Sequence, residues 1–261
     1  MMNKIKKIYL WIIMIILYSP ILVLIVFSFN SSKSTSWQEF TFKWYIQLFE
    51  NPSIQSAFSY TLIVGFVSAI ISTIIGLMAA LTIIKLRGIK RRLIMALTYI
   101  PLLSPDIVIG ISLMMLYSTL NIPFGLITLI LSHITFNTPY VILSIMPRLM
   151  QLNPNVYEAA LDLGATPVYA FKKIILPDIL PGVLTGAFIA FTLSIDDFVV
   201  SFFNTASGVN TLSIQIYSMA RRGVSPEINA ISTLIFLTIV TILTVTNIRA
   251  SRKAKLEGYF Y

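Results

Sequence analysis

Three carboxylates stand in surroundings where carboxylates are rare. Asp106 follows Pro101-Leu102-Leu103-Ser104-Pro105. Asp196 and Asp197 lie in Thr192-Leu193-Ser194-Ile195-Asp196-Asp197-Phe198. Both sites fall inside long apolar runs. An ionised carboxylate at the bilayer centre costs at least about 2.5–3.5 kcal/mol on insertion scales, so such groups face a cavity or a partner. Asp106 admits two readings. The two prolines break a helix there, and Asp106 either accepts backbone N–H groups where the helix restarts or lines a substrate path. The acidic pair also admits two. Neighbouring side chains on a helix point about 100° apart, so one basic residue does not easily meet both. A cationic substrate would supply the missing charge, with Phe191, Phe198, Phe202 and Phe203 offering aromatic faces to a cation. Alternatively the pair marks a break or water-exposed helix end that touches no substrate. His133 is the only histidine and there is no cysteine. That removes a His/Cys metal site and thiol chemistry, and a lone histidine in such a run reads as hydrogen-bonded between helices. No G-x-x-x-x-G-K-[ST] phosphate loop occurs, so ATP hydrolysis by that route is excluded.

The elements that must position these groups are membrane spans. Of 261 residues, 57% are apolar and 11% charged, where a soluble domain carries about 25% charged. Mean hydropathy is +0.86. A span needs about 20 mostly apolar residues. Six stretches meet that length, approximately Ile8–Phe29, Ser59–Ile84, Leu93–Ser118, Ile122–Met146, Ile179–Phe203 and Ile228–Ile248. Basic residues test the count. Lys4, Lys6, Lys7, Lys85, Arg87, Lys90, Arg91, Arg92, Arg148, Lys172, Lys173, Arg249, Arg252, Lys253 and Lys255 fall on one side of such a six-span chain. Only Lys33, Lys43, Arg221 and Arg222 fall on the other. Lys and Arg concentrate in cytoplasmic loops, which places both termini in the cytoplasm. The same distribution explains the net charge of +9 without nucleic acid. The first run is longer than a signal-peptide core and no A-x-A site follows, so it reads as a retained anchor. In the external segment Asn30–Phe58, Trp37, Trp44 and Tyr45 suit the membrane–water interface. Gly182, Gly186 and Ala190 repeat every fourth residue, a small-residue face for close helix packing.

Residues 147–178 form the longest cytoplasmic loop. Asn153-Pro154 is a helix start, with asparagine as N-cap and proline in the first turn. Val156, Ala160 and Leu163 share one helical face. Gly164 is a stop, since glycine accepts the left-handed conformation. Thr166-Pro167 starts a second short helix, expected to end near Leu176-Pro177. The hairpin is amphipathic. Periodicity alone leaves it either resting on the membrane surface as a connector or docking a partner.

The residues decide between these. Glu158-Ala159-Ala160, Gly164, Ile174 and Leu176-Pro177, in the spacing E-A-A-x3-G-x9-I-x-L-P, resemble the EAA loop of binding-protein-dependent ABC importer permeases. Ser194–Ser201, Ile216–Met219 and Gly223–Ala230 are similar to the spermidine/putrescine permeases of that family. The resemblance implies an all-α polytopic membrane protein with a type I ABC importer (MetI-like) permease fold. It implies one permease domain over 1–261, with its core at about 58–248 and the coupling loop at 147–178, in the bacterial cell (inner) membrane. It also implies that Glu158, Ala159 and Ala160 form a docking face for a separate ATPase and that Gly164 supplies the bend. The implied partners are a homologous second permease, two ATPase copies that bind the ATP and Mg, an external substrate-binding protein and membrane lipid. The chain itself would hold no cofactor and catalyse no reaction. On this reading it forms half of a polyamine pathway, with Asp106, Asp196, Asp197 and Phe198 as candidate substrate contacts. The alternatives are an ABC importer for another small solute such as iron or thiamine, an ion-coupled secondary transporter, or a membrane assembly protein.

Overall fold

The computed structural model describes residues 2–33, 36–221, 223 and 226–257. Arg222, Val224 and Ser225 therefore lie outside the described residues. Twelve helices follow in order among them: α1 (Met2–Phe27), α2 (Lys43–Glu50), α3 (Pro52–Lys85), α4 (Gly88–Leu103), α5 (Asp106–Thr119), α6 (Leu126–Gln151), α7 (Pro154–Asp162), α8 (Pro167–Ala170), α9 (Leu176–Asp196), α10 (Val199–Asn204), α11 (Leu212–Arg221) and α12 (Pro226–Glu257). A π-helical turn, Phe171–Ile175, joins α8 to α9. The only β pairing among these residues is an isolated bridge between Asn30 and Phe40.

The chain divides into two compact units, Met1–Gln55 with Ile216–Tyr261, and Ser56–Gln215. In the first, α12 packs on α1 and α2. Trp44 is 3% exposed, its indole N–H donating to the Asn30 carbonyl at 2.7 Å. Tyr45 likewise turns inward, its hydroxyl 2.6 Å from Ser28 Oγ. Trp37 stays exposed.

The second unit is built on the α6–α9 pair. Ala69, Ala80 and Ile83 of α3 join Val141, Ile142, Ile145, Met146 and Leu149 of α6 and Ile179 and Ala190 of α9 in one apolar core. The small-residue face expected on the fifth span makes this approach possible. A Cβ on Gly182 would sit 2.9 Å from the Ser144 carbonyl oxygen, and one on Gly186 3.2 Å from the Val141 Cα. Gly76 of α3 is tighter still, at 2.6 Å from Val141 Cγ1. Small residues replace the hydrophobic drive that helices in lipid lack, because van der Waals contact between backbones is what holds them together there.

Among the described residues four helical stretches are long and apolar enough to cross a membrane: Lys6–Phe27, Pro52–Lys85, Leu126–Gln151 and Pro167–Asp196. The pair Gly88–Leu103 and Asp106–Thr119, bent by 106°, is either a fifth, broken span or a re-entrant loop. The break falls at Ser104-Pro105, where the sequence places it. The segment expected as a sixth span lies in α12, but the side chains from Val245 onward are outside the described residues. Three expected boundaries differ. The fourth span starts at Leu126 and runs on to Gln151, past Pro147. The second short loop helix does not end at Leu176-Pro177 but continues through the π turn into α9. Proline lacks the N–H for an i→i−4 bond, and the wider turn absorbs the misfit, with Leu176 N–H donating to Phe171 O. The fifth span, expected over Ile179–Phe203, is broken at the acidic pair, one of the two readings the sequence left open: α9 stops at Asp196, with Asp197 extended at φ −63°, ψ 124°. Aspartate competes for backbone N–H groups and so favours helix ends over interiors.

Candidate functional site: a coupling loop and a polar seam

The loop closes as its signals require. Asn153 Oδ1 accepts from Asn155 N–H at 3.0 Å, and Thr166 Oγ1 accepts from Tyr169 N–H at 3.3 Å. Gly164 lies between them at φ +86° with open space around its α-carbon. Its conformation is the one that side chains disfavour by about 1–2 kcal/mol. The two ends of the motif play different parts. Glu158 and Ala159 are exposed and Ala160 is half-buried. Leu163 is 89% exposed and Val168 and Tyr169 also face outward. An open groove runs beside them, lined by Ala160, Leu163, Gly164, Ala165, Thr166 and Tyr169. Ile174 and Leu176 are half-buried, and Leu176 packs against the α3–α6–α9 core. Pro177 is exposed in the first turn of α9. The hairpin thus offers an exposed, largely apolar face beside Glu158, rooted in the core at its far end. A face of small and apolar groups around one carboxylate suits a cleft in another protein, where the charge sets orientation.

Within the apolar body of the second unit, buried polar groups form a seam. Ser194 Oγ of α9 lies 2.9 Å from Ser68 Oγ of α3 and accepts from Asn137 Nδ2 of α6 at 2.7 Å. One turn before Asn137, His133 Nε2 is 3.0 Å from Ser201 Oγ of α10 and 3.7 Å from Asp197 Oδ2. Beyond that, Asn204 Nδ2 donates to the Gly110 carbonyl of α5 at 3.1 Å. The Asn204 carbonyl in turn accepts from Thr128 Oγ1 of α6 at 3.0 Å. His133, Asn137, Ser201 and Asn204 are fully buried. The expectation that His133 is bonded between helices holds. Interhelical bonds of this kind contribute about 0.6 kcal/mol each on average.

The acidic pair is split by this seam. Asp197 is 6% exposed in its side chain. Its Oδ1 accepts from Val200 N–H at 3.1 Å, its Oδ2 from Ser201 N–H at 2.7 Å, and its carbonyl from Ser213 Oγ at 2.6 Å. Its carboxylate is held by the first N–H groups of α10, and His133 Nε2 lies 3.7 Å from Oδ2. Asp196, the last residue of α9, is exposed, and among the described residues no hydrogen bond or ion pair engages it. Phe198 is half-buried, with its ring 5.3 Å from that of Phe202. Asp106 is exposed in the first turn of α5. No backbone N–H among the described residues bonds to it, so of its two readings the hydrogen-bonded cap is absent. It lies within electrostatic range of Tyr140 on α6. The structure therefore brings Asp197 together with His133 and leaves Asp106 and Asp196 outside that cluster. Ser68, Asn137 and Asn204 went unread in the sequence. The available signal was polar spacing: His133 and Asn137 sit at i, i+4 on one face of an apolar helix, as do Ser68 and Ser72.

Comparison with known proteins places this architecture. Residues 72–252 match the family model described as the inner membrane component of binding-protein-dependent transport systems. The chain is 40% identical over 243 residues to the spermidine/putrescine transport system permease protein PotC of Shigella flexneri, covering 93% of this chain and 92% of that protein. It is 39% identical over 229 residues to the putrescine transport system permease protein PotI of Escherichia coli K12, covering 84% of this chain and 81% of that protein. In fold it is similar to the crystal structure of a bacterial ABC transporter that imports the acidic polysaccharide alginate, with a TM-score of 0.67 at 17% identity, covering 96% of this chain and 98% of that chain. With a family match over most of its length and 40% identity to a relative covering nearly the whole chain, the chain belongs to the inner membrane components of binding-protein-dependent ABC transport systems.

Proposed function

We propose that the chain forms half of the translocation pathway of an ATP-driven polyamine importer, with spermidine or putrescine as substrate. The observation that carries this is the course of one helical stretch. Pro167–Asp196 runs from the second turn of the coupling loop to an exposed, unpaired carboxylate deep in the apolar sequence. A motor gripping the loop thereby pulls on a group suited to an amine. The names of the relatives that match nearly the whole chain supply the substrate class.

In this scheme the chain has six spans with both termini in the cytoplasm and constitutes one permease domain of the bacterial inner membrane. Of two ATPase copies, which bind ATP and Mg, one docks on Glu158, Ala159 and Ala160 of this chain. A homologous second permease closes the other side of the pathway, and an external binding protein delivers the polyamine. The chain holds no cofactor and transports without catalysing a reaction. Asp196 meets the substrate ammonium, Phe198 and Phe202 offer their faces to its charge and methylene chain, and Asp106 lines the approach. The test is uptake of labelled spermidine and putrescine by cells with and without the gene, in a background lacking other polyamine systems. Loss of saturable, ATP-dependent uptake is expected. Unchanged polyamine uptake would turn the substrate question to another small solute such as iron or thiamine. Uptake that follows an ion gradient and survives ATP depletion would overturn the ABC mechanism.

A further inference from the structure

The turn between α3 and α4 gathers charge that nothing nearby in the chain answers. Lys85, Arg87, Lys90, Arg91 and Arg92 crowd into one short segment, and no acidic residue occurs between Glu50 and Asp106. Among the described residues no carboxylate pairs with any of the five. Arg91 is half-buried and the other four are exposed. The coupling loop differs. There Arg148, Lys172 and Lys173 are balanced by Glu158, Asp162 and Asp178. Lys and Arg orient a loop by their number, and acidic residues contribute little to that. Orientation therefore accounts for the basic residues of both loops. It does not account for a counter-charge missing from one of them.

The turn is also held close to apolar surface. Only Leu86 and Arg87 separate α3 from α4, and Gly88 follows at φ +60°. Apolar residues run up to Ile84 on one side and resume at Ile89 and Leu93 on the other. On a helix turning by about 100° per residue, Ile89, Leu93, Leu97 and Ile100 fall on one face of α4, and all four are exposed. The opposite face holds Met95, packed against the α3–α6–α9 core, and the buried Thr98. By the same geometry Lys90 and Arg92 flank the exposed stripe, one on each side, at its start. Long basic side chains in such places lay their stems along apolar surface and carry the charge to its polar edge.

We infer that this turn is a binding site for the phosphate headgroup of an anionic phospholipid, with the acyl chains lying along the α4 stripe. The two features together name the occupant. A free anion would use the cations and leave the stripe bare. A neutral lipid would cover the stripe and leave the cations unanswered. A protein partner would have to reach a turn with two non-helical residues, whereas the coupling loop presents a whole hairpin. Basic residues immediately beside a spanning helix attract anionic headgroups. The site does not depend on which solute is carried.

The test offers the complete chain, purified in detergent, equal amounts of phosphatidylglycerol and phosphatidylcholine with identical acyl chains. Native mass spectrometry reads the lipid retained. The unaltered chain is expected to retain phosphatidylglycerol in preference. Lys90→Gln with Arg92→Gln should lower that occupancy about tenfold, since each basic residue adds its own share of the attraction. Lys172→Gln with Lys173→Gln, in the charge-balanced loop, should leave it unchanged. Equal retention of the two lipids by the unaltered chain, or equal loss in the two double variants, would overturn the site. Should the first double variant fail to insert, its two single variants decide: each is expected to lose severalfold, and no loss in either refutes the inference. Inorganic phosphate in excess separates a lipid site from a free-anion site. Retention of the lipid is expected, and its displacement by phosphate would reduce the turn to an anion site. The assembled transporter supplies the last comparison. Lipid that stays when the ATPase is bound supports the assignment, whereas lipid expelled by the ATPase would make these cations contacts of that protein.

Discussion

A glycine, a histidine and a carboxylate carry much of what is specific to this molecule at the scale of single residues. Gly76, Gly182 and Gly186 let three helices meet at backbone distance, and the first of these is the least forgiving. Any Cβ at 76 meets both Cβ and Cγ1 of Val141, at 2.8 and 2.6 Å. Both atoms belong to a stiff β-branched side chain on a helix. Gly76→Ala is therefore expected to destabilise the α3–α6 contact by about 1–3 kcal/mol, the range for overpacking a close-fitted core. The thermal midpoint of the detergent-solubilised chain measures this. Val141→Ala in the same chain should recover part of the loss, because it removes Cγ1 while leaving Cβ in place. An unchanged midpoint for Gly76→Ala would mean that α3 and α6 slide apart at no cost. This part of the packing was half legible: the four-residue repeat on the fifth span announced itself, whereas Gly76 looked like any glycine in an apolar run. Its constraint comes from a residue far away in sequence, which no local pattern contains. The fate of Asp197 was hidden for the same reason. An adjacent carboxylate pair in an apolar run reads the same whether one member is buried under backbone N–H groups or both face a cation.

At the scale of the element, the coupling loop was the most legible part of the chain, because its signals are local. Asparagine and threonine caps, prolines in the first turns and a glycine stop each act within four residues, and each holds in the structure. The error lay at its far end. Leu176-Pro177 reads as a stop because proline ends helices, yet proline within the first turn of a new helix is tolerated, and a π turn bridges the misfit. The consequence is mechanical. A loop ended at Pro177 would be a separate handle, whereas this loop is continuous with α9, so in the proposed scheme a force on it reaches that helix. Gly164 sets the angle between the docking turn and that helix. Gly164→Val introduces a β-branched side chain at φ +86° with no compensating contact, at a cost of at least about 1–2 kcal/mol. The expected outcome is a chain that still inserts and accumulates but recovers much less ATPase on co-purification, with Gly164→Asn intermediate because asparagine tolerates that region better. Full ATPase recovery by Gly164→Val would show that the bend is not needed for docking. Glu158→Arg tests the docking face itself. Charge reversal at an exposed position should leave folding intact and abolish ATPase recovery, and retention of the ATPase by this variant would remove Glu158 from the interface.

For the whole molecule, hydropathy and charge asymmetry say what the helices alone do not. Among the described residues four apolar helices, with the bent pair counted as one span, give five crossings, and an odd number would leave the two termini on opposite sides. The basic residues argue otherwise. Lys4, Lys6 and Lys7 precede the first span, and Arg249, Arg252, Lys253 and Lys255 follow the last. Both clusters belong on the cytoplasmic side by the positive-inside rule. They can share a side only if α12 crosses as a sixth span or the bent pair α4–α5 re-enters without crossing. Single cysteines separate these cases, since the chain supplies none of its own. Gln47→Cys, Lys172→Cys and Ser251→Cys are labelled in intact cells with a membrane-impermeant thiol reagent, and again after permeabilisation. Six crossings predict that position 47 reacts from outside, while 172 and 251 react only after permeabilisation. Labelling of 251 from outside would leave five crossings. It would also set the C-terminal basic cluster against the rule that orients the other loops. Labelling of 172 from outside would be the more damaging result, because a coupling loop on that face has no ATP to work with.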